Sequence, residues 1–435
     1  MQATLPTIEA VQTSAPLVSR ARVVVISQFF GQEQSAVGQF LADFANEALL
    51  AGHEIHVICG DMDYAGSDVA ARTSGSHQEP NPARISEGSG AQGGIRMTKV
   101  RTAKFSQNKL QRLVSYSVFF AGAAWKALTI PNPNVVVTLT APPGLSWIGW
   151  LVRRIRRCRH VTWEMDLYPD IAIALGIPLT RWTAQVLDFP RRRADAVIVP
   201  GACMKARLLW HHIPEDRIVV VENWADGRSI IPLPLPSQPP LCILYSGNLG
   251  LAHDVATLRV VIERLAGRPE FLFAFAGGGL ERDGLIDFCH ERGITNVAFL
   301  NYVRKQDLGA RLAECHVGLV TQKPATLGAV VPSKVYGLMA AGRPILYIGP
   351  AAATPAHLIR RFDCGWHFDC GDAEGVSALL VRILKNPDEL SRKGQNGHRA
   401  FVEHYDKPAG ASRVLQALRL ETRVYSQWIP ASAHN

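Results

Sequence analysis

Three groups of residues in this chain have the types and spacings that chemistry needs. The first is Val330-Val331-Pro332-Ser333-Lys334-Val335-Tyr336-Gly337-Leu338-Met339-Ala340-Ala341-Gly342-Arg343-Pro344. Ser333 is a good N-cap for a short helix that stops at Gly342, before Pro344. A helix start gathers free backbone N–H groups and partial positive charge, and Lys334 adds a full one, so the spot favours a phosphate. The same residues also fit an ordinary strand–helix–strand unit with an exposed lysine. The second group is a pair of glycine turns, Tyr245-Ser246-Gly247-Asn248-Leu249-Gly250 and Phe275-Ala276-Gly277-Gly278-Gly279. Gly247, Gly250, Gly277 and Gly278 let backbone approach a ligand closely. One such turn is expected at any strand-to-helix connection; two beside Ser333-Lys334 point to a nucleotide diphosphate. Gly-x-x-x-x-Gly-Lys-Ser/Thr is absent, which disfavours a P-loop. The third group is Trp163-Glu164-Met165-Asp166-Leu167-Tyr168-Pro169-Asp170. Helix capping accounts for Pro169 and Asp170. Glu164 and Asp166 end a buried strand, where charge is rare without a task, and could orient or deprotonate a hydroxyl.

Other candidates read as structure. Asp61-Met62-Asp63 opens a Gly/Ser-rich loop, where aspartate is common for turn reasons. His53, His56, His211 and His212 have no metal-type spacing. No metal ligand set is expected. The eight cysteines are scattered without Cys-x-x-Cys and read as idle thiols of a reducing cytoplasm.

Apolar strands alternating with helical segments must position these groups. The first series runs from Arg22-Val23-Val24-Val25-Ile26 through Ile218-Val219-Val220-Val221. A proline-rich stretch, Ile230 to Pro240, reads as a stiff linker. A second series begins at Leu241-Cys242-Ile243-Leu244-Tyr245. With 435 residues, more than one core is expected. The expectation is α/β: two doubly wound Rossmann-like domains facing each other across a cleft. The proposed division is a leader at 1–20, a first domain at 21–228, a linker at 229–240, a second domain at 241–408, and a terminal helix at 409–428. Residues 61–94 read as a long loop.

The net charge of +9 is uneven. Gly88 to Trp163 holds twelve Lys or Arg and no Asp or Glu, leaving 9 − 12 = −3 for the remainder. Such a block suits anionic head groups or nucleic acid, though no nucleic-acid motif accompanies it. In the predicted Gly144–Cys158 helix, Trp147, Trp150, Arg154 and Arg157 form a stripe apart from the apolar face, as in an interfacial membrane helix. On the preceding helix, Tyr116, Phe119, Phe120 and Ala123 are expected off the core face. No spanning segment or secretory signal is read. The expected location is therefore cytoplasmic and peripheral, on the inner face of the membrane.

Taken in order, Ser27-Gln28-Phe29-Phe30, Gly52-His53-Glu54, Trp163 through Asp170, Asp195-Ala196-Val197-Ile198-Val199, Glu222-Asn223-Trp224-Ala225-Asp226, Tyr245 through Gly250 and Val331 through Pro344 resemble the family 4 glycosyltransferases with the GT-B fold. The similarity is to the bacterial subgroup that builds colanic acid, O-antigen and exopolysaccharides on lipid carriers. The resemblance implies transfer of a sugar from a nucleotide diphosphate sugar to an acceptor hydroxyl, with retention and no essential metal or other cofactor. It places the donor on the second domain, against Gly247, Asn248, Gly250, Gly277, Gly278, Ser333, Lys334 and Tyr336. It places a polyprenyl-diphosphate-linked saccharide acceptor on the first, facing Asp166 or Glu164. It also implies a last helix that crosses back to the first domain. Many members carry two glutamates eight positions apart; here those positions are Ala329 and Gly337. A nucleotide-sugar epimerase of similar fold, and an inactive lipid- or nucleic-acid-binding homologue, are the alternatives.

Overall fold

The computed structural model describes residues 20–31, 35–61, 85–86, 94–101 and 109–422. The leader, Asp63 and the end of the predicted last helix lie outside these residues, as does most of the 61–94 loop. Two all-parallel sheets form the core. The first has eight strands: β1 (Arg22–Ile26), β2 (Glu54–Gly60), β3 (Ile85–Ser86), β4 (Ile95–Val100), β5 (Val135–Leu139), β6 (Arg159–Trp163), β7 (Ala196–Val199) and β8 (Ile218–Val220). Their order across the sheet is β3-β4-β2-β1-β5-β6-β7-β8. The second has six: β9 (Leu241–Ser246), β10 (Phe271–Ala276), β11 (Val297–Leu300), β12 (Val317–Thr321), β13 (Ile345–Ile348) and β14 (Gly365–Phe368), ordered β11-β10-β9-β12-β13-β14. Parallel strands covered on both faces must be apolar throughout, and Val-Val-Val-Thr-Leu of β5 is buried at every position. Each order reverses beside the first strand of its sheet, opening a crevice at the strands' carboxyl ends.

The segment Asp226 to Pro240 crosses between the sheets without regular structure. Arg343, almost wholly buried, donates to the carbonyls of Leu233 and Pro234 and fixes the linker to the second sheet. The Lys407–Ala417 helix returns to the first sheet, where Val414, Leu415 and Leu418 join the core of Phe40, Leu41 and Phe44. The two halves also meet directly. Leu167 N–H donates to the Ala329 carbonyl at 2.8 Å, Asp166 pairs with Val330 in a short antiparallel bridge, and Val331 packs with Leu167 and Met204.

The helices refine two expectations. Phe119 and Ala123, on the Lys109–Thr129 helix, are fully buried against Val24, Ile26 and Val136. Phe119 is therefore a core residue and not part of a surface stripe. The following helix, Ser146–Arg156, is amphipathic as expected, but Trp147 stacks on Phe189 at 4.9 Å and Trp150 meets the same ring edge-on at 5.7 Å. Both tryptophans are half-buried against the Arg181–Arg191 helix, and Trp147 Nε1 donates to the Val186 carbonyl. Arg154 and Arg157 remain exposed.

Candidate active site

A cavity of about 300 Å³ opens between the two sheets. One wall is the Ala36–Leu50 helix, through Gln39, Phe40 and Asp43. The other is the second domain, through Ser246, Gly247, Asn248, Ser333, Lys334 and Gly337, with Tyr302, Val303, Leu308 and Leu312 at one end. Trp224, and Asp226 and Ser229 of the crossing segment, also line it.

The first glycine turn is shaped around Lys334. Gly247 has φ +128°, and a Cβ there would lie 2.7 Å from Lys334 Cε. Only glycine lets the lysine stem lie along the turn. The Lys334 ammonium sits 4.9 Å above the Tyr245 ring and makes no ion pair among the described residues. Burial pulls it down to about 8. An ammonium held with no countercharge attracts an anion. Behind the turn, the Tyr245 hydroxyl donates to the Asn248 carbonyl at 2.7 Å and lies 3.0 Å from His253 Nε2. His253 Nδ1 is 2.8 Å from the Thr321 carbonyl, and burial, then Lys334, keep the ring neutral, near 3. This support was missed because an isolated His after a glycine turn carries no motif.

Ser333 precedes a helix of only seven residues, Lys334–Ala340, and its side chain makes no capping bond. The anion-attracting character of this corner therefore rests on Lys334 rather than on the helix end. Tyr336 faces the other way: it is fully buried, 5.1 Å from the Tyr405 ring, and does not line the cavity. Gly277 is buried beneath the first turn, where a Cβ would come within 2.4 Å of the Gly247 carbonyl oxygen. Its role is to let two backbone turns cross. Gly250 and Gly278 also fall outside the cavity lining.

The first-domain carboxylates separate into two kinds. Glu164 is buried and gripped by Arg191, Nε to Oε1 at 2.9 Å and Nη2 to Oε2 at 3.1 Å. Arg191 also donates to Asp188 and to the Tyr168 carbonyl. His211 bridges Asp188 and Asp170; burial would lower it, but its hydrogen bonds to both carboxylates hold it up at about 9. Glu164 is thus one corner of a buried ion network and is not available to a substrate. Asp166 is different: burial, then the nearby Glu164 charge, raise its carboxyl to about 6, and no salt bridge is formed among the described residues. It lies at the junction with Val330 of the other domain, outside the cavity lining.

Two acidic residues line the cavity without having been given a site role above: Asp226, part of the resemblance motif, and Asp43, which no motif marks. Asp226 is held by Lys407 Nζ at 2.6 Å. Asp43 receives Trp224 Nε1 at 3.3 Å and faces Lys305 Nζ of the second domain at 3.6 Å. Burial pushes Asp43 upward against the pull of Lys305 and Lys407. Among the described residues no cluster of three or more His, Cys, Asp or Glu could hold a metal ion.

Comparison with known proteins accords with this architecture. A family model described as "Glycosyl transferase 4-like domain" matches residues 35–224, and one described as "Glycosyl transferases group 1" matches residues 233–400. The chain is 25% identical over 301 residues to the probable glycosyltransferase WbjE of Pseudomonas aeruginosa, spanning 66% of this chain and 74% of that one. It is 24% identical over 389 residues to the putative colanic acid biosynthesis glycosyl transferase WcaI of Escherichia coli K12, spanning 83% and 91%. Among solved structures, Anabaena HepE in complex with UDP and glucose has the same fold, with a TM-score of 0.67 at 14% identity over 92% of this chain and 99% of that one. With the two family models falling on the two sheets and the cleft between them, the chain belongs to the family 4 glycosyltransferases of GT-B fold.

Proposed function

We propose that the cleft binds a nucleotide diphosphate sugar and transfers its sugar, with retention of anomeric configuration, to a lipid-linked saccharide in bacterial surface polysaccharide synthesis. The observation that carries this is Lys334: a half-buried ammonium without an anionic partner among the described residues, laid along the bare backbone of Gly247 at the cavity wall. A diphosphate supplies the missing charge, and the turn's backbone can approach its oxygens. The HepE complex with UDP and glucose supports a nucleotide sugar as donor. The name of WcaI supports a polysaccharide product. In this reading Lys334, with Ser333 beside it, holds the diphosphate and stabilises the charge that grows on it as the sugar departs. In the same reading Asp166, near 6, approaches the acceptor hydroxyl from the interdomain junction with Val330 rather than from the cavity wall; in a retaining reaction the leaving phosphate can itself take the acceptor proton. In this reading the reaction uses no metal or further cofactor.

The acceptor's lipid fits an enzyme resting on an anionic membrane at the inner face of the cytoplasmic membrane. No helix among the described residues is long and apolar enough to cross one. The exposed face that fits is neither Phe119 nor the packed Trp147–Trp150 pair. Val114, Val118, Ala121 and Trp125 recur at steps of four, three and four on the Lys109–Thr129 helix and are all exposed, Trp125 at 69%. Exposed Arg154, Ile155, Arg156 and Arg157 end the neighbouring helix. An apolar stripe beside a basic cluster matches an anionic lipid surface.

The test is product release from the purified enzyme given candidate nucleotide sugars with and without a membrane extract of lipid-linked saccharides. Nucleoside diphosphate should appear only when donor and acceptor are both present, and Lys334→Ala should abolish it. Release from donor alone, or full turnover by the variant, contradicts the proposal.

A further inference from the structure

The cavity has a chemical asymmetry between its two walls. A nucleotide offers ribose hydroxyls, which α/β domains commonly read with a carboxylate. The second-domain wall offers Ser246, Asn248, Ser333, Lys334 and Lys305 but no acid among its described residues. Gly337 stands there bare. A Cβ at Gly337 would meet only Leu312 Cδ1 at 3.8 Å and Ile230 Cδ1 at 3.9 Å, ordinary contacts, so space for a side chain goes unused. The cavity's carboxylates come from elsewhere, Asp43 from the first domain and Asp226 from the crossing segment.

Of these two, Asp226 is committed. It takes Lys407 Nζ at 2.6 Å and the Arg228 N–H at 3.1 Å. Asp43 is not. Its Oδ2 receives a single 3.3 Å bond from Trp224 Nε1. Its Oδ1 forms an ion pair with Lys305 Nζ at 3.6 Å, too long for a hydrogen bond, and so keeps hydrogen-bond acceptor capacity. The carboxylate is mostly buried, with a side-chain exposure of 13%, so a hydroxyl bonded to it is shielded from competing water.

We infer that Asp43 accepts hydrogen bonds from the ribose hydroxyls of the donor, so that the acceptor-side domain reads the nucleotide across the cleft. Gly337, on the facing wall, leaves the room for that approach. A consequence is that donor binding ties the two domains together, since Asp43 and Lys305 come from opposite sides of the same cavity. The inference rests on the nucleotide-sugar reading, and its test separates the two.

Calorimetric titrations of the full chain with UDP, GDP and ADP, and with their 2′-deoxy and 3′-deoxy forms, provide the readout. The wild type should prefer the ribonucleotide it binds over at least one deoxy form by roughly ten- to a hundred-fold, the scale of a hydrogen bond to a charged group. Asp43→Asn keeps an acceptor for Trp224 and should shrink that preference; Asp43→Ala should abolish it. Both should bind the deoxy form as the wild type does, which also shows that they fold. Indifference of the wild type to the hydroxyls, or full preference in Asp43→Ala, overturns the inference while leaving the donor site standing. Binding of none of the three nucleotides overturns both.

Discussion

At the residue scale, Lys334 is a charge that costs the fold stability. Its folded value near 8 lies below the ordinary lysine value of 10.5, so below pH 8 the protein bears the desolvation penalty of a half-buried charge. As pH rises from 8 towards 10.5 the unfolded chain holds more protons than the folded one, and stability climbs. Lys334→Met should therefore raise the melting temperature at pH 7 and flatten its rise across that window, while nucleotide binding is lost. Differential scanning calorimetry from pH 7 to 10.5 checks this; a variant that melts lower at pH 7 contradicts it. Affinity of the wild type for a nucleoside diphosphate should fall as pH passes 8, because the ammonium is then discharged. Lys334 was legible in the sequence because Ser-Lys at a predicted helix start is a local pattern. Asp43 was not: on an amphipathic helix it resembles any solvent-facing acid, and only the fold of the second domain turns it into a cavity wall.

At the scale of elements, strand ends distinguish two carboxylates that looked alike. Glu164→Gln leaves buried Arg191 with Asp188 as its remaining carboxylate partner, and removing one partner of a buried pair costs about 3–5 kcal/mol. Denaturant melts should show that loss. Asp166→Asn removes a carboxyl whose ionisation burial already opposes, so its stability at pH 7 should equal or exceed that of the wild type while turnover falls. Equal destabilisation of the two variants would refute the distinction. The glycine turns show the same lesson. Gly277→Ala drives a methyl into the Gly247 carbonyl at a φ of +124°, so it should weaken nucleotide binding without touching ligand. Spacing revealed that these glycines matter; it did not say that Gly277 serves another turn rather than a phosphate. Partner helices decide such questions, as they do for Phe119 and Trp147, whose buried faces come from distant strands and from Phe189.

At the scale of the molecule, the alternating apolar strands and the proline-rich break made two parallel-sheet domains readable, because βα periodicity is local. The contact between Asp166 and Val330 and the packing of Val331 into the first domain are products of assembly and left no local trace. The same holds for the exposed face proposed to meet a membrane. Vesicle flotation with anionic lipid should fall several-fold for Trp125→Ala combined with neutralised Arg154, Arg156 and Arg157, and hardly at all for Trp147→Ala; binding that ignores anionic lipid content contradicts the assigned surface. In the proposed function, the interdomain cavity is a nucleotide diphosphate site organised by Lys334. Equilibrium titration of the purified chain and of Lys334→Met with UDP, GDP and ADP tests it most directly. At least one should bind the wild type at a single site, and the variant should lose that binding by about ten-fold or more, as expected for a charge-assisted contact. Binding by the variant as tight as by the wild type, or no binding by either, would contradict it.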